Sequence, residues 1–202
     1  GRNEKTLAAT VAELVRLRPG AWSKTCDVRR EAEIKAFFAE ARRRFPKLDL
    51  CVPNSGEATL ASVTETKLAD WNRDIETNLT GTFLTMKETI LWMKETGGGT
   101  ILPVVSQAGK VGFKLRAAYC ASKWGTLGLV ESARLEAKEH GVRITALCPA
   151  SVATDFQAGN PMGMDWMLAA DDVADAALYA ATVSARVELP EILIRCWNKP
   201  AR

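Results

Sequence analysis

Residues 106–123, with the sequence SQAGKVGFKLRAAYCASK, bring a serine, a tyrosine and a lysine into one structural unit. Ser106 ends an apolar run that predicts a buried strand, and a glycine-containing loop follows it. Tyr119 and Lys123 are four residues apart in a run of small residues, which puts both side chains on one face of a predicted helix. The pattern therefore predicts that three polar side chains meet where a strand ends and a helix begins.

These three side chains suit the reduction of a carbonyl group or the reverse reaction. A free phenol has a pKa near ~10, and a cation held close to it lowers that pKa, so Lys123 would activate Tyr119. Ser106 would hydrogen-bond the substrate oxygen while Tyr119 gives or takes its proton. A hydride would have to come from a cofactor, because no side chain carries one. For the Tyr–Lys pair alone, an exposed tyrosine beside a solvated lysine is the alternative interpretation.

The composition favours one soluble globular domain. The chain has 202 residues, of which 47% are hydrophobic and 25% charged, enough for a sizeable core. A net charge of +3 with interspersed acids and bases argues against a nucleic-acid surface. Five scattered cysteines show no metal-ligand spacing and favour a reducing, cytoplasmic location. No metal site is expected, since the lone His140 is interpreted as a cation at a helix end.

Predicted helices and strands alternate along the chain. Helical periodicity covers residues 4–18, 30–45, 64–96 and 171–184, besides the helix that carries Tyr119. Strands are predicted over 21–27, around 48–52, in the run that leads to Ser106, over 142–149 and over 190–195. Gly97, Gly98 and Gly99 precede a strand, so they are interpreted as a connector and not as a phosphate-binding loop. The alternation predicts an α/β protein with a parallel sheet.

The spacing of Ser106, Tyr119 and Lys123 resembles the catalytic segment of the short-chain dehydrogenase/reductase family, whose Tyr-x-x-x-Lys follows its Ser at this distance. Five further sites match the family in order, so the resemblance covers nearly the whole chain. It implies a Rossmann-like, doubly wound parallel sheet in a single domain, residues 1–202. It also implies an oxidoreductase that transfers a hydride between NADP(H) and a carbonyl or secondary alcohol, with Tyr119 as acid and base, Lys123 as ribose ligand and Ser106 as oxyanion stabiliser.

Two of these matches would lie beside the catalytic residues. Pro53-Asn54-Ser55-Gly56 resembles the family's Asn-Asn-Ala-Gly turn, which places Asn54 and the backbone of Gly56 at the cofactor ribose. An ordinary turn of the Asn-Gly type is the alternative. Asn78 resembles the asparagine that holds a water connected to the catalytic lysine. A polar helical residue that is solvated or bonded back to its own helix is the alternative there.

Two other matches concern the adenosine end of the cofactor. Asp27 and Val28 resemble the family's Asp-Val pair at the adenine, although an Asp that caps the next helix explains the first residue equally well. Arg2 has no acid beside it in the sequence and is similar to the arginine of members that hold the 2′-phosphate of NADP. The resemblance therefore implies NADP, with NAD as the less favoured cofactor.

The segment Pro149-Ala150-Ser151-Val152-Ala153-Thr154 resembles the family's Pro-Gly-x-x-x-Thr, which lies against the nicotinamide ring. Ala150 replaces the usual glycine and narrows the backbone freedom expected there. Pro149, Val152 and Thr154 are the cofactor-binding residues that this match implies.

The main departure from the family lies at the front of the chain. No G-x-G-x-x-G or Thr-Gly-x-x-x-Gly-x-Gly occurs, so the first strand, first helix and most of the second strand of the family are expected to be missing. In the strand order 3-2-1-4-5-6 this leaves a gap between the first strand present and the others. The chain would be a fragment or a shortened protein. A truncated, non-catalytic Rossmann-like module is therefore the alternative function.

Residues 117–137 form a predicted helix that is apolar on more than one side, which favours a second packing partner. The resemblance implies that this helix and the one with Asn78 form subunit contacts in a homodimer or homotetramer. No nucleic-acid or membrane partner is expected.

The family's variable lid corresponds to residues 155–170, DFQAGNPMGMDWMLAA. Thioethers and large rings suit an adaptable cover over an apolar ligand, although they would also serve to pack the lid on the domain. Phe113 is expected near the same opening. Because the lid has no arginine or lysine, the prediction is an uncharged, mainly apolar carbonyl or secondary alcohol. The lid residues that carry this prediction are Phe156, Met162, Met164, Trp166 and Met167.

Overall fold

The computed structural model describes residues 1–157 and 164–198, and in these residues it contains six α-helices and five short β-strands. The helices are α1 Glu4–Leu17, α2 Glu31–Arg44, α3 Leu68–Ile75, α4 Gly81–Glu95, α5 Ala117–Lys138 and α6 Ala170–Thr182. The strands are β1 Leu50–Cys51, β2 Gly99–Ile101, β3 Val142–Ile144, β4 Ala146–Pro149 and β5 Glu191–Ile194. A π-helical turn, Glu76–Thr80, joins α3 to α4, and 3-10 helices cover Gln107–Gly109 and Asp155–Gln157.

All strand pairs are parallel, as the alternation of helices and strands predicts. Strand β2 lies between β1 and β3, with Ile101 opposite both Cys51 and Ile144. Strand β4 continues the line of β3 but pairs with β5 on its other side. A bridge between Val104 and Leu147 ties the two ladders together. The α/β Rossmann-like fold is confirmed, and the predicted strand over 142–149 is two short strands with different neighbours.

The core packs helices on both faces of this sheet. The largest buried cluster joins Met86 and Met93 of α4, Val130 of α5 and the side chains of Ile101 and Ile144. A separate cluster packs Ile34 and Phe38 of α2 against Trp92 of α4. On the other face, Ala180 of α6 packs against Leu102 and Leu147. Burial on both faces explains why the strands read as continuous apolar runs.

Two strand predictions near the front of the chain are corrected by the structure. Residues 21–27 have no regular secondary structure and belong to no ladder in the described part of the chain. The N–H of Cys26 donates only to the carbonyl of Gly1, at 2.8 Å. Strand β1 is two residues long and only half-buried, since Leu50 is 43% exposed whereas Cys51 packs against the largest buried cluster. In the described part of the chain β1 is an edge strand, because β2 pairs with it on one side and no strand pairs with it on the other.

The helix predicted over 4–18 is confirmed, but α1 buries none of its residues. Its apolar side chains, including Leu14 and Leu17, remain exposed. Packing of an amphipathic face supplies most of a helix's stability, so α1 depends here on its own capping, in which Asn3 accepts a hydrogen bond of 3.1 Å from the N–H of Thr6.

The helix predicted over 64–96 begins only at Leu68, because residues 63–65 form a turn. Gly97 and Gly98 adopt positive φ angles of 89° and 92° between α4 and β2, which confirms the connector at these two glycines, whereas Gly99 is already the first residue of β2. In the described part of the chain, no helix is both long and apolar enough to cross a bilayer.

Candidate active site

Ser106 lies where the chain leaves the sheet after β2. Its hydroxyl oxygen accepts a hydrogen bond of 3.0 Å from the N–H of Ala108 and so caps the 3-10 helix Gln107–Gly109. A Cβ on Gly109 would come within 2.9 Å of the backbone oxygen of Lys123, so only glycine lets this helix approach α5 so closely. The Ser106 hydroxyl also forms a hydrogen bond with the Tyr119 side chain, so both polar groups lie at the cavity.

Tyr119 and Lys123 lie one turn apart at the start of α5, on the face that borders the same cavity as Ser106. The Nζ atom of Lys123 is 5.7 Å from the centre of the Tyr119 ring. Lys123 is 4% exposed, and its ammonium donates a hydrogen bond of 3.0 Å to the carbonyl of Val104. The structure therefore brings the three residues of the sequence prediction together.

The pKa of Tyr119 is raised above its ordinary value, mainly because burial disfavours the phenolate. Its hydrogen bond with the Ser106 side chain and the charge of Arg116 each lower that pKa. Lys123 is not among the groups that lower it. The predicted depression of the tyrosine pKa by Lys123 is thus wrong for this structure, since the ammonium binds a backbone carbonyl and burial outweighs the nearby charges.

The pKa of Lys123 falls from its ordinary 10.5 to about 8, because burial disfavours the ammonium. No carboxylate contacts its Nζ atom in the described residues. An amine with a pKa near 8 exchanges protons readily at physiological pH, which suits a role in proton transfer.

Asn78 lies in the π-helical turn and is fully buried. Its side-chain amide donates to the carbonyl of Glu57 at 2.8 Å and to the hydroxyl of Ser122 at 2.9 Å. Its side-chain oxygen accepts from the N–H of Glu57 at 2.9 Å. Asn78 is therefore neither solvated nor bonded back to its own helix by its side chain, and one lone pair of its side-chain oxygen stays available for a water.

These residues surround a cavity of about 530 Å³ above the carboxyl ends of the strands. Ligands of open α/β sheets bind at this edge. The structure places eight of the predicted site residues in its wall: Asn54, Gly56, Ser106, Tyr119, Lys123, Pro149, Val152 and Thr154. Asn78 lies behind the wall, next to Gly56.

The wall also fits the nicotinamide end of a dinucleotide. A Cβ on Gly56 would lie 3.4 Å from the side-chain oxygen of Asn78 and 3.9 Å from Nζ of Lys123, so the glycine keeps this corner open. Lys123 supplies a cation at that corner, and Pro149 and Thr154 also line the cavity. A cavity of this size, mainly apolar and with the Lys123 cation at one corner, is typical of sites that hold cofactors.

Three predicted cofactor residues are not part of this cavity: Arg2, Asp27 and Val28. Arg2 forms an ion pair of 3.7 Å with Glu57. Hydrogen bonds from Arg29 lower the pKa of Asp27 to about 2. Asp27 is not the cap of α2 either, since the N-cap is Arg30 and has no side-chain hydrogen bond. Val28 packs on Gly81, where a Cβ would come within 2.6 Å of its side chain.

Part of the predicted lid borders the cavity. Phe156 and Trp166 line it, as does Phe113, which was expected at the same opening. The ring of Phe156 lies 5.9 Å from the ring of Tyr119, measured between centres. Met164 and Met167 are not among the lining residues, and Met162 lies outside the residues that the structure describes.

Arg116 is a cavity residue that the sequence prediction missed. It precedes Tyr119 by three residues, and this spacing places both on one face at the start of α5. That spacing is the signal in the sequence for a cation beside Tyr119, outside the lid at residues 155–170. The Cζ atom of Arg116 is 6.0 Å from the centre of the Tyr119 ring.

Comparison with known proteins identifies the same family along most of the chain. Residues 1–164 match the family model for short chain dehydrogenases. A trans-4-hydroxycyclohexanecarboxylate dehydrogenase from Sinomonas cyclohexanicum is 38% identical over 154 residues, which are 73% of this chain and 58% of that protein. The chain thus spans less than two thirds of this curated relative.

Two solved structures are similar over nearly the whole chain. An alcohol dehydrogenase from the archaeon Thermococcus sibiricus, complexed with 5-hydroxy-NADP, superposes with a TM-score of 0.89 at 24% identity, over 100% of this chain and 86% of that chain. A metagenomic short-chain oxidoreductase in complex with NADP superposes with a TM-score of 0.83 at 30% identity, over 98% of this chain and 84% of that chain.

Proposed function

Since the chain belongs to the short chain dehydrogenase family, we propose that the protein reduces a carbonyl to a secondary alcohol, or catalyses the reverse reaction, with NADP(H). The observation that carries this proposal is the convergence of Ser106, Tyr119 and Lys123 on one cavity at the carboxyl ends of the strands. When bound, the nicotinamide cofactor supplies or accepts the hydride. Asn54, Lys123, Pro149, Val152, Thr154 and the backbone of Gly56 would hold its nicotinamide end.

Tyr119 is the acid in the reduction direction. Burial keeps its phenol protonated at neutral pH, so its proton is available to the developing alkoxide. Ser106 donates its hydroxyl hydrogen to the same substrate oxygen, while the N–H of Ala108 holds the serine oxygen in place. Phe113, Phe156 and Trp166 supply apolar surface to the wall of the same cavity.

Lys123 restores the proton that Tyr119 gives up. With a pKa of about 8, its ammonium releases a proton at little cost near neutral pH. Asn78 orients this side of the cavity, because its side chain joins Glu57 to Ser122, the neighbour of Lys123. The free lone pair on the Asn78 side-chain oxygen would accept from a water that connects Lys123 with solvent.

A pair of tyrosine variants tests the reaction. Tyr119→Phe should abolish NADPH consumption with ketones, since it removes the proton donor and keeps the ring. Tyr179→Phe is the matched control, because Tyr179 is the other tyrosine of the chain and is exposed on α6. Equal turnover by both variants would refute the role of Tyr119. The ketone that corresponds to the named substrate of the Sinomonas relative, 4-oxocyclohexanecarboxylate, belongs in the substrate panel.

NADP is the proposed cofactor rather than NAD. Arg2 is more than half exposed and its ion pair with Glu57 is long, so its guanidinium is free to turn toward a phosphate. The metagenomic neighbour in complex with NADP supports the same choice. Titration calorimetry should give a lower Kd for NADP+ than for NAD+, and Arg2→Ala should reduce that difference. A lower Kd for NAD+ would overturn this assignment.

We further propose a cytoplasmic homodimer or homotetramer. Trp124 and Leu135 of α5 are 54% and 62% exposed, and Phe83 and Leu91 of α4 are also exposed. Burial of these side chains in a subunit contact would remove a large apolar area from water. Sedimentation at micromolar concentration should give a dimer or tetramer, and Trp124→Glu should shift it toward monomer. A stable wild-type monomer would contradict this proposal.

A non-catalytic module is the second candidate, because β1 has an exposed edge and α1 buries no residue. The two candidates differ in cofactor binding. If the chain binds NADPH, a concentration 100-fold above Kd should raise Tm by about 5 °C. A Tm that does not change up to millimolar NADPH would favour the non-catalytic module.

Substrate shape is proposed from the aromatic wall. The rings of Phe113, Phe156 and Trp166 suit an apolar carbon skeleton. The expectation of an uncharged substrate relied on the lid alone, and Arg116 lies outside the lid. We therefore propose a substrate with an apolar carbon skeleton. Whether that substrate carries a charge is decided by the role of Arg116.

A further inference from the structure

Arg116 is half-buried in the wall of the cavity, directly before the first residue of α5. Its guanidinium is 6.0 Å from the centre of the Tyr119 ring, and that ring contacts Phe156. These neighbours put the guanidinium on the side of the cavity where a substrate carbonyl would meet Tyr119. A ligand that reaches Tyr119 would therefore also lie within reach of Arg116.

No carboxylate lines the cavity in the described part of the chain, although Arg116 and Lys123 do. Lys123 donates to the carbonyl of Val104, whereas the guanidinium of Arg116 has no ion pair or side-chain hydrogen bond among the described residues. By contrast, Arg29 and Arg134 are each held by acidic residues. A half-buried cation without a counter-ion favours an anion that enters the cavity from outside.

The backbone holds Arg116 at this position. The preceding residue, Leu115, has a φ of 64°, a left-handed conformation that is uncommon outside glycine. The carbonyl of Leu115 accepts a hydrogen bond of 2.9 Å from the N–H of Ala61, and Ala61 forms a bridge with Arg116. Such conformations persist where surrounding contacts enforce them, and they concentrate at ligand sites. Arg116 is thus presented to the cavity by a restrained segment.

From this placement we infer that Arg116 binds an acidic group of the substrate, so that the protein acts on a hydroxy acid or keto acid with an apolar skeleton. The inference rests on the proposed function, since it assigns the substrate of the same site. A planar guanidinium pairs with both oxygens of a carboxylate and thereby fixes the orientation of the molecule. The carbonyl of the substrate then lies against Ser106 and Tyr119 while its acidic group lies at Arg116.

The test compares a keto acid with its neutral ester. Wild-type protein should reduce 4-oxocyclohexanecarboxylate with a kcat/KM about 10- to 100-fold above that of its methyl ester, as expected for a hydrogen bond between charged groups. Arg116→Gln should lose this preference, because its kcat/KM for the acid should fall to near that for the ester. Lys114→Gln is the matched control, because Lys114 is an exposed cation two residues away that does not line the cavity.

The same variants separate substrate binding from an effect on Tyr119. Arg116 lowers the pKa of Tyr119, so a role limited to that effect would lower kcat/KM for the acid and the ester equally. Equal loss for both substrates, or equal kcat/KM of the two in the wild type, would overturn the inference.

A binding measurement keeps this result distinct from failure of the proposed function. Cyclohexanecarboxylate should raise Tm of the wild type and of Lys114→Gln but not of Arg116→Gln, and cyclohexanecarboxamide should raise none of them. If neither ketone is reduced, but cyclohexanecarboxylate raises the Tm of the wild type and not that of Arg116→Gln, the proposed reaction is refuted and the anion site is supported. If the acid stabilises Arg116→Gln as much as the wild type, the anion site fails.

Discussion

The side-chain amide of Asn78 donates a hydrogen bond of 2.9 Å to the hydroxyl of Ser122, which directly precedes Lys123 in α5. This bond joins the π-helical turn to α5, the helix that carries Tyr119 and Lys123. The carbonyl of Asn78 also accepts hydrogen bonds from the hydroxyls of Thr82 and Thr126, at 2.7 Å and 3.2 Å. Asn78 therefore acts as a buried junction between two helices and the turn after β1.

Replacement of Asn78 by Ala should lower the free energy of unfolding by about 2–5 kcal/mol, because buried partners on Glu57 and Ser122 lose their hydrogen bonds. Urea unfolding measures the change. Asn72→Ala is the control, since Asn72 is exposed on α3 and its loss should change stability by less than about 0.5 kcal/mol. Equal effects of the two replacements would show that the junction contributes nothing to stability.

The buried ammonium of Lys123 should make stability depend on pH. The folded protein releases this proton at about pH 8, whereas the unfolded chain holds it up to 10.5, so the free energy of unfolding rises with pH across this window. The full shift corresponds to about 3 kcal/mol. Relative to Lys123→Met, the wild type should gain about that amount between pH 7 and 10.5.

Urea unfolding at several pH values gives this difference, with Lys114→Met as the variant of an exposed lysine. Parallel stability curves for wild type and Lys123→Met would mean that the folded state does not lower the pKa of Lys123.

The raised pKa of Tyr119 predicts opposite pH profiles for the two directions of the reaction. Alcohol oxidation needs the phenolate, so its kcat/KM should rise about tenfold per pH unit into the alkaline range. Carbonyl reduction uses the protonated phenol and should not gain from alkali. Arg116→Gln should shift the pH profile of oxidation to higher pH, because the arginine lowers the pKa of Tyr119. An oxidation rate that levels off below pH 7 would contradict the raised pKa.

Gly98 should tolerate no side chain. It has a φ of 92°, and a Cβ there would lie 2.3 Å from the carbonyl oxygen of Gly141. Gly98→Ala should therefore lower stability by about 2–4 kcal/mol. Gly128→Ala in α5 is the matched control, because nothing lies within 4 Å of its added Cβ and alanine favours the helix by up to about 1 kcal/mol. Thermal unfolding should show a lower Tm for Gly98→Ala and a higher Tm for Gly128→Ala. An unchanged Tm of Gly98→Ala would refute the close contact with Gly141.

Local patterns in the sequence were enough to predict most of the helical residues and the meeting of Ser106, Tyr119 and Lys123 at one cavity. The spacing of Tyr119 and Lys123 reflects the period of an α-helix, and the apolar run before Ser106 reflects a strand buried on both faces. Both patterns depend on residues close together in the chain, so they can be recognised without knowledge of the fold. The parallel sheet followed from the alternation of elements for the same reason.

Tertiary structure alone decided what depends on neighbours that are distant in sequence. Residues 21–27 have the composition of a strand but no ladder partner beyond Gly1 in the described residues, because a strand is completed by a second chain segment. Tyr119 has a raised pKa because burial outweighs nearby charge, and burial is a property of the packed molecule. Arg116 became a candidate only when folding showed a cation in the cavity wall without a carboxylate beside it. The sequence by itself indicated the serine, the tyrosine and the lysine of the site, and the packing of distant segments added Arg116 and determined the protonation and the partners of these groups.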